Sequence, residues 1–247
     1  MKLQITESVT MTSKLLKIIR THACLVLFVF FAIFFTFFAN IDIWVSQLFY
    51  ADLGVFPAND LWWAQIIYTG TPWVGRAGFL LTMLILLCAV FAPGKVSRRQ
   101  WRRAAAVFII IVLGIGILVN TVLKDGMGRP RPRDVLAFNG TTAYVPIFVP
   151  SQFCRSNCSF VSGHAAMGFA LMSVGMFGIP RRRKFWMKAG LVAGFGIGLV
   201  RIAQGGHFLS DIVFAFMAIW MCHLVVRFTW LHFRLWQFRG RTRLLPQ

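Results

Sequence analysis

Two histidines, one acid and a group of oddly placed cations are the residues of this chain best suited to chemistry. His207 precedes Asp211 by four positions, a spacing that puts both side chains on one helical face. A carboxylate placed there holds an imidazole in one tautomer and stabilises its charged form. His164 follows Ser162 and Gly163. Ser162 can cap a helix starting at that point, leaving the amides of Gly163 and His164 free to face an anion. Lys124, Arg129, Arg131, Arg133, Arg155 and Arg201 supply positive charge, and planar guanidinium forks suit phosphate oxygens. This set meets the needs of phosphoryl transfer: charge neutralised on the equatorial oxygens, a nucleophile held in line, and a proton for the leaving oxygen. The histidines would begin in opposite states, His207 neutral to attack and His164 protonated to donate. Two other uses of these residues stand beside that one. His207, Asp211 and His164 could hold a metal, although the surrounding cations repel one. Lys124 and Arg201 could be snorkelling anchors at the ends of apolar spans.

The elements that must position these residues are membrane helices. The chain is 58% hydrophobic with a mean hydropathy of +0.71, too much apolar surface for a soluble domain of 247 residues. Apolar runs near residues 23–39, 77–91, 104–123, 165–178, 188–199 and 212–229 predict six transmembrane helices in an all-α membrane protein. Interfacial tryptophans extend the shorter runs. The first run is long and lacks a small-residue cleavage site, so it reads as a retained helix and not as a signal peptide. Two outer loops are expected, at 40–72 and 124–161. The first is aromatic and reads as an interfacial segment; the second is too rich in Pro and Gly to be one helix. With no internal repeat or low-complexity tract, residues 1–247 form a single domain.

The net charge of +19 invites a nucleic-acid reading, but its distribution argues against one. Nineteen of the 26 basic residues fall in blocks at 2–20, 95–103, 181–188 and 227–243, all on one side of an alternating six-span chain. That pattern puts both termini in the cytoplasm, with anionic membrane lipid as the partner of the basic tail. The other seven, Arg76 and the six cations named above, lie on the opposite face or at its boundary, where topology does not explain them. The site therefore belongs to the outer face. Cys154 and Cys158 share the second outer loop; an oxidising compartment favours a disulfide between them, and a free pair is the alternative. Cys24, Cys88 and Cys222 read as small core hydrophobes. His22, His223 and His232 read as flank residues.

Three motifs occur in order. K-x6-R-P runs from Lys124 to Arg131 and Pro132, S-G-H is Ser162, Gly163 and His164, and R-x5-H-x3-D is Arg201, His207 and Asp211. Together they resemble the type 2 phosphatidic acid phosphatase superfamily, over the region from the third span to the sixth. The resemblance implies that His207 forms a phosphohistidine, oriented by Asp211. His164 would protonate the leaving alcohol and then activate water. Lys124, Arg131, Ser162, Gly163 and Arg201 would bind the phosphoryl oxygens. It implies no metal, no cofactor and no obligate protein partner. Two departures stand out: Val161 replaces the usual Pro before S-G-H, and Val200 the usual Ser before Arg201. A lost Ser hydroxyl removes a phosphate donor worth about 1–2 kcal/mol. The stretch from Cys154 through Cys158, Ser159 and Phe160 to S-G-H is similar to the lipid A phosphatase branch, its 4'-phosphatases above all. The resemblance thus implies a bacterial inner-membrane enzyme with a periplasmic active site. Its substrate would be a lipid phosphate, lipid A first. Undecaprenyl diphosphate or phosphatidylglycerol phosphate is the alternative, and an anion transporter the non-enzymatic one. Arg129, Arg133 and Arg155 are candidate head-group contacts.

Overall fold

The computed structural model describes residues 22–51 and 54–242, with side chains through residue 233. The basic block at 2–20 and the side chains of the tail lie outside the described residues. Helix α1, Ala23–Phe37, meets α2, Asn40–Gln47, at a bend of 81°. A 3-10 turn at Pro57–Asn59 leads to α3, Trp62–Phe91. Helix α4, Arg98–Ile109, opens with a capping box in which Ser97 and Gln100 bond reciprocally. It runs on as a π-helix from Ile110 to Asp125, so that Lys124 sits in the last turn. Helix α5, Gly163–Ala170, continues as a 3-10 stretch, Leu171–Gly175. Helix α6, Pro180–Ala203, starts with Pro at its first position, and α7 spans Leu209–Thr242. The described residues form helices and loops without a strand, apart from two isolated bridges.

Four of these helices are long and apolar enough to cross a membrane: α3, the α4 run to Asp125, α6 and α7. The bent pair α1–α2 would make a fifth. Two departures from the sequence expectation bear on the site. Helix α3 begins at Trp62, inside the stretch read as an outer loop, and carries Pro72 in its interior. Neighbouring polar groups can re-satisfy the carbonyl that a proline frees in a membrane helix. The run near 165–178 is eight residues of α-helix and five of 3-10, short of the ~20 residues that cross a bilayer alone.

The core lies between α5, α6 and α7, built from Phe169, Met172, Ile202, Ile212, Ala215 and Ile219. Glycines let α5 and α6 approach closely. A Cβ on Gly168 would come within 2.6 Å of the Gly194 backbone, so the two helices touch main chain to main chain. Side chains elsewhere on α3 point outward: Leu80, Leu81, Leu84 and Val90 are exposed, as expected of a lipid-facing helix.

Candidate active site

The third motif spans a helix end, a loop and a helix start. Arg201 lies near the end of α6, His207 in the loop, and Asp211 in the first turn of α7, where a carboxylate meets the positive end of the helix. The loop is tight: Gly205 has φ +59°, a conformation that disfavours side chains. A Cβ on Gly206 would lie 2.2 Å from Arg201 Nη2, so glycine there lets the guanidinium lie against the backbone.

His207 is 1% exposed. Its Nδ1 lies 2.7 Å from the carbonyl oxygen of Ser159 and 3.6 Å from Asp211 Oδ2, the latter too long for a hydrogen bond. The nearest acceptor for the ring is therefore the Ser159 carbonyl, not Asp211 as the spacing suggested. Asp211 acts one residue further back: its Oδ2 accepts from the Ser159 hydroxyl and from the Phe208 amide. With the proton fixed on Nδ1, Nε2 keeps a free lone pair. Burial pushes the His207 pKa down to about 3, with Asp211 acting against it. The ring is thus neutral near pH 7, the form that can attack.

Arg129 has a different place from the head-group contact expected of it. It is 1% exposed and all five of its N–H donors are engaged within the protein. Nε donates to the Val145 carbonyl, Nη1 to Ser210 Oγ and Asp211 Oδ1, and Nη2 to Asp42 Oδ2 and Tyr144 Oη. The ion pairs measure 2.6 Å to Asp211 and 2.8 Å to Asp42. Burial opposes the charge on Arg129, but Asp211 and Asp42 overcome it and raise its pKa. Asp42, on α2 after the bend, also accepts from the Ser210 amide and hydroxyl. Sequence reading missed Asp42, Ser159, Ser210 and Tyr144. Ser159 lies in the stretch that carried the branch resemblance; Asp42, in a short aromatic segment far from the motifs, carried no signal.

Three other buried cations have no carboxylate within ion-pair distance among the described residues. Lys124 is 9% exposed, Arg131 7% and Arg201 3%. Arg131 donates from Nε and Nη2 to the Asn157 carbonyl, inside the loop closed by the Cys154–Cys158 disulfide. Arg201 Nη1 donates to Gln204 Oε1, while its Nε is buried without a partner. Burial and neighbouring Arg133 lower the Arg131 pKa. Arg131 and Arg201 both act electrostatically on His207 and on His164, and Lys124 acts on His164. Ser162 caps α5 by accepting from the Ala165 amide, and a Cβ on Gly163 would meet Asn120 Oδ1 at 3.0 Å. K-x6-R-P, S-G-H and R-x5-H-x3-D are thus brought to one end of the bundle. Among the described residues no three His, Cys, Asp or Glu side chains converge as a metal-holding set.

His164 completes this group and introduces a residue the sequence did not single out. Its ring stacks on Tyr68 of α3 at 5.2 Å and 20°, and the Arg201 guanidinium lies 4.4 Å from the centre of the same Tyr68 ring.

The PAP2 superfamily pattern matches residues 105–235 of this chain. The chain belongs to the PAP2 superfamily. Among curated PAP2 relatives, a lipid A 4'-phosphatase of Francisella tularensis subsp. novicida is 37% identical over 214 residues, 84% of this chain and 95% of that protein. A lipid A 4'-phosphatase of Rhizobium leguminosarum is 29% identical over 205 residues, 76% of this chain and 85% of its own length. The phosphatidylglycerophosphatase B of Bacillus subtilis is 25% identical over 162 residues, 62% of this chain and 69% of its own. No solved structure matches the chain. Of the remaining PAP2 site candidates, Arg133 is about half exposed and Arg155 exposed. Arg133 lines a cavity of about 280 Å³ with Phe56, Asn59, Asp60 and Phe138. That cavity adjoins the loop that carries His207, because Asn59 donates to the Gln204 carbonyl and the Arg133 amide to that of Gly205.

Proposed function

We propose that this phosphatase removes a phosphate from lipid A at the periplasmic face of a bacterial inner membrane, through a phosphohistidine on His207. The observation that carries the reading is the trio of buried cations, Lys124, Arg131 and Arg201, gathered without carboxylate partners around two histidines. Uncompensated buried charge is costly, and a phosphoryl group supplies the missing anion. His207 Nε2 attacks phosphorus as the ester P–O bond breaks, and the electron pair leaves on the alcohol oxygen. His164 gives that oxygen a proton. Water then attacks phosphorus, losing its proton to His164, as the P–N bond breaks and its electron pair returns to His207 Nε2, and inorganic phosphate departs. Lys124, Arg131, Arg201, Ser162 and the Gly163 amide hold the phosphoryl oxygens, and this chemistry asks for no metal or cofactor.

The ends of the helices support this face. Lys124 and Arg201 end the rising α4 and α6. At their other ends Arg99, Arg103, Arg181 and Arg182 line one cavity of about 520 Å³. Those blocks mark the cytoplasmic side. Since α4 and α6 run in the same direction, the chain must return between them. We read residues 163–179 as that return, a short passage packed among the longer helices. With that return, the reading has six crossings and cytoplasmic termini. Lipid A is favoured by the names of the nearer relatives. The Arg133 cavity, with Asn59 and Asp60 beside it, also offers polar groups suited to a sugar head group. The Bacillus relative supports phosphatidylglycerol phosphate as the second reading.

The test is mass spectrometry of lipid A from cells with and without the gene, beside phosphate release by detergent-solubilised protein. Loss of one lipid A phosphate only when the gene is present is expected. Unchanged lipid A would overturn the substrate. Absence of phosphate release from any lipid phosphate in detergent would favour an anion transporter.

A further inference from the structure

Pro72 sits inside α3 and carries no N–H. In an α-helix the amide of residue 72 would bond to the carbonyl of residue 68. The proline therefore leaves the Tyr68 carbonyl without its usual donor in the ladder. In a membrane helix such a group needs another partner. The partner is His164: its Nε2 lies 3.1 Å from Tyr68 O. The ring of the same residue stacks on the imidazole and underlies Arg201.

We propose that Pro72 and Tyr68 are positioning residues for the acid–base histidine: the proline frees a backbone carbonyl that holds His164 Nε2–H, and the tyrosine ring fixes the plane of the imidazole. The proposal rests on the reading of His164 as the acid. Its chemical content is specific. A carbonyl accepts a proton and cannot donate one, so Nε2 stays protonated in both states of the ring and proton exchange with substrate falls to Nδ1. The carbonyl dipole also favours the imidazolium. It is the counterweight to burial and to Arg201, Lys124 and Arg131, which all oppose a positive charge on this ring. A bound phosphate would mask those cations, leaving the Tyr68 carbonyl as the fixed element that keeps the acid charged.

The experiment is Pro72→Ala in the full-length protein, assayed for phosphate release from a lipid phosphate across pH. The new N–H recaptures the Tyr68 carbonyl. The expected kcat/KM is roughly 10-fold lower, a part of the 10²–10⁴ of general acid catalysis. The alkaline limb of kcat, where the acid of the substrate complex deprotonates, moves to lower pH by about one unit. In a His164→Ala background the same substitution changes kcat/KM by less than about 2-fold, because coupled residues are not additive. A wild-type pH profile, or an equal loss in both backgrounds, would overturn the proposal. Should Pro72→Ala not accumulate, Pro72→Gly restores the same N–H with less bulk and is read identically. If His164→Ala alone keeps wild-type turnover, the acid reading itself fails. If His164→Ala is crippled and Pro72→Ala is silent, only the positioning role fails.

Discussion

Arg129→Leu removes the centre of a buried charge triad. Asp42 and Asp211 are 1% and 0% exposed, so both carboxylates would be left facing apolar side chains. Breaking a buried ion pair from one side costs about 3–5 kcal/mol, and here one substitution breaks two. Some of that is offset. Asp211 keeps the Ser159 hydroxyl and the Phe208 amide, and Asp42 keeps Ser210. A net destabilisation of about 4 kcal/mol is expected, within the range for a single broken pair. It is read as a lower unfolding midpoint in detergent. Phosphate release should fall further than stability explains, because Asp211 steadies Ser159, whose carbonyl holds His207. Arg129→Lys keeps the charge but offers three donors in place of five, and should fall between leucine and wild type. The decisive comparison is the double variant Arg129→Leu with Asp42→Asn. Neutralising one orphaned carboxylate should restore about 1–2 kcal/mol, the scale of coupling between contacting residues. If Arg129→Leu unfolds at the wild-type midpoint, or the double variant is less stable than the single, the triad does not hold the site.

Further expectations concern the same residues. His207→Ala should abolish phosphate release while the protein still inserts; retained turnover would exclude His207 as nucleophile, and activity should persist in EDTA. Gly206→Ala drives a Cβ against Arg201 Nη2 and should raise the inhibition constant for inorganic phosphate about 10-fold, with little change in unfolding midpoint, since a flexible guanidinium can yield. Cys154→Ser with Cys158→Ser opens the loop whose Asn157 carbonyl holds Arg131, and should lower kcat/KM several-fold through weaker phosphate binding. His207 is neutral when folded, with a pKa near 3 against an ordinary 6.5. Its contribution to stability is complete above pH 6.5 and is lost as pH falls toward 3, because the unfolded chain takes up the proton first. A His207→Gln variant should lose less stability between pH 6.5 and 5 than wild type, as measured by thermal unfolding.

The groups proposed to meet phosphate were legible because each sits in a short motif whose spacing is itself the signal. The groups that hold those motifs in place were not. Asp42 lies 87 residues from Arg129 in sequence, in a helix of eight residues with nothing local to mark it. The aromatics of residues 40–72 misled: they read as an interfacial loop, and the start of the third helix at Trp62 lay inside it. Arg129 was recognised as a cation out of topological place, yet its count of donors could not reveal that all were engaged internally. Charge against the topological grain pointed to the end of the bundle where the three motifs gather and could not separate a ligand from a strut.

The triad has a consequence for how this enzyme can be divided. The superfamily pattern begins at residue 105, but Asp42, Tyr68 and Pro72 all precede it. A fragment cut at that boundary would contain every motif and still bury an arginine with only one of its two counterions. The first two helices are thus not a detachable anchor. In a chimera between relatives they must be exchanged together with the loop they brace, or the graft carries an unmatched charge into its own core.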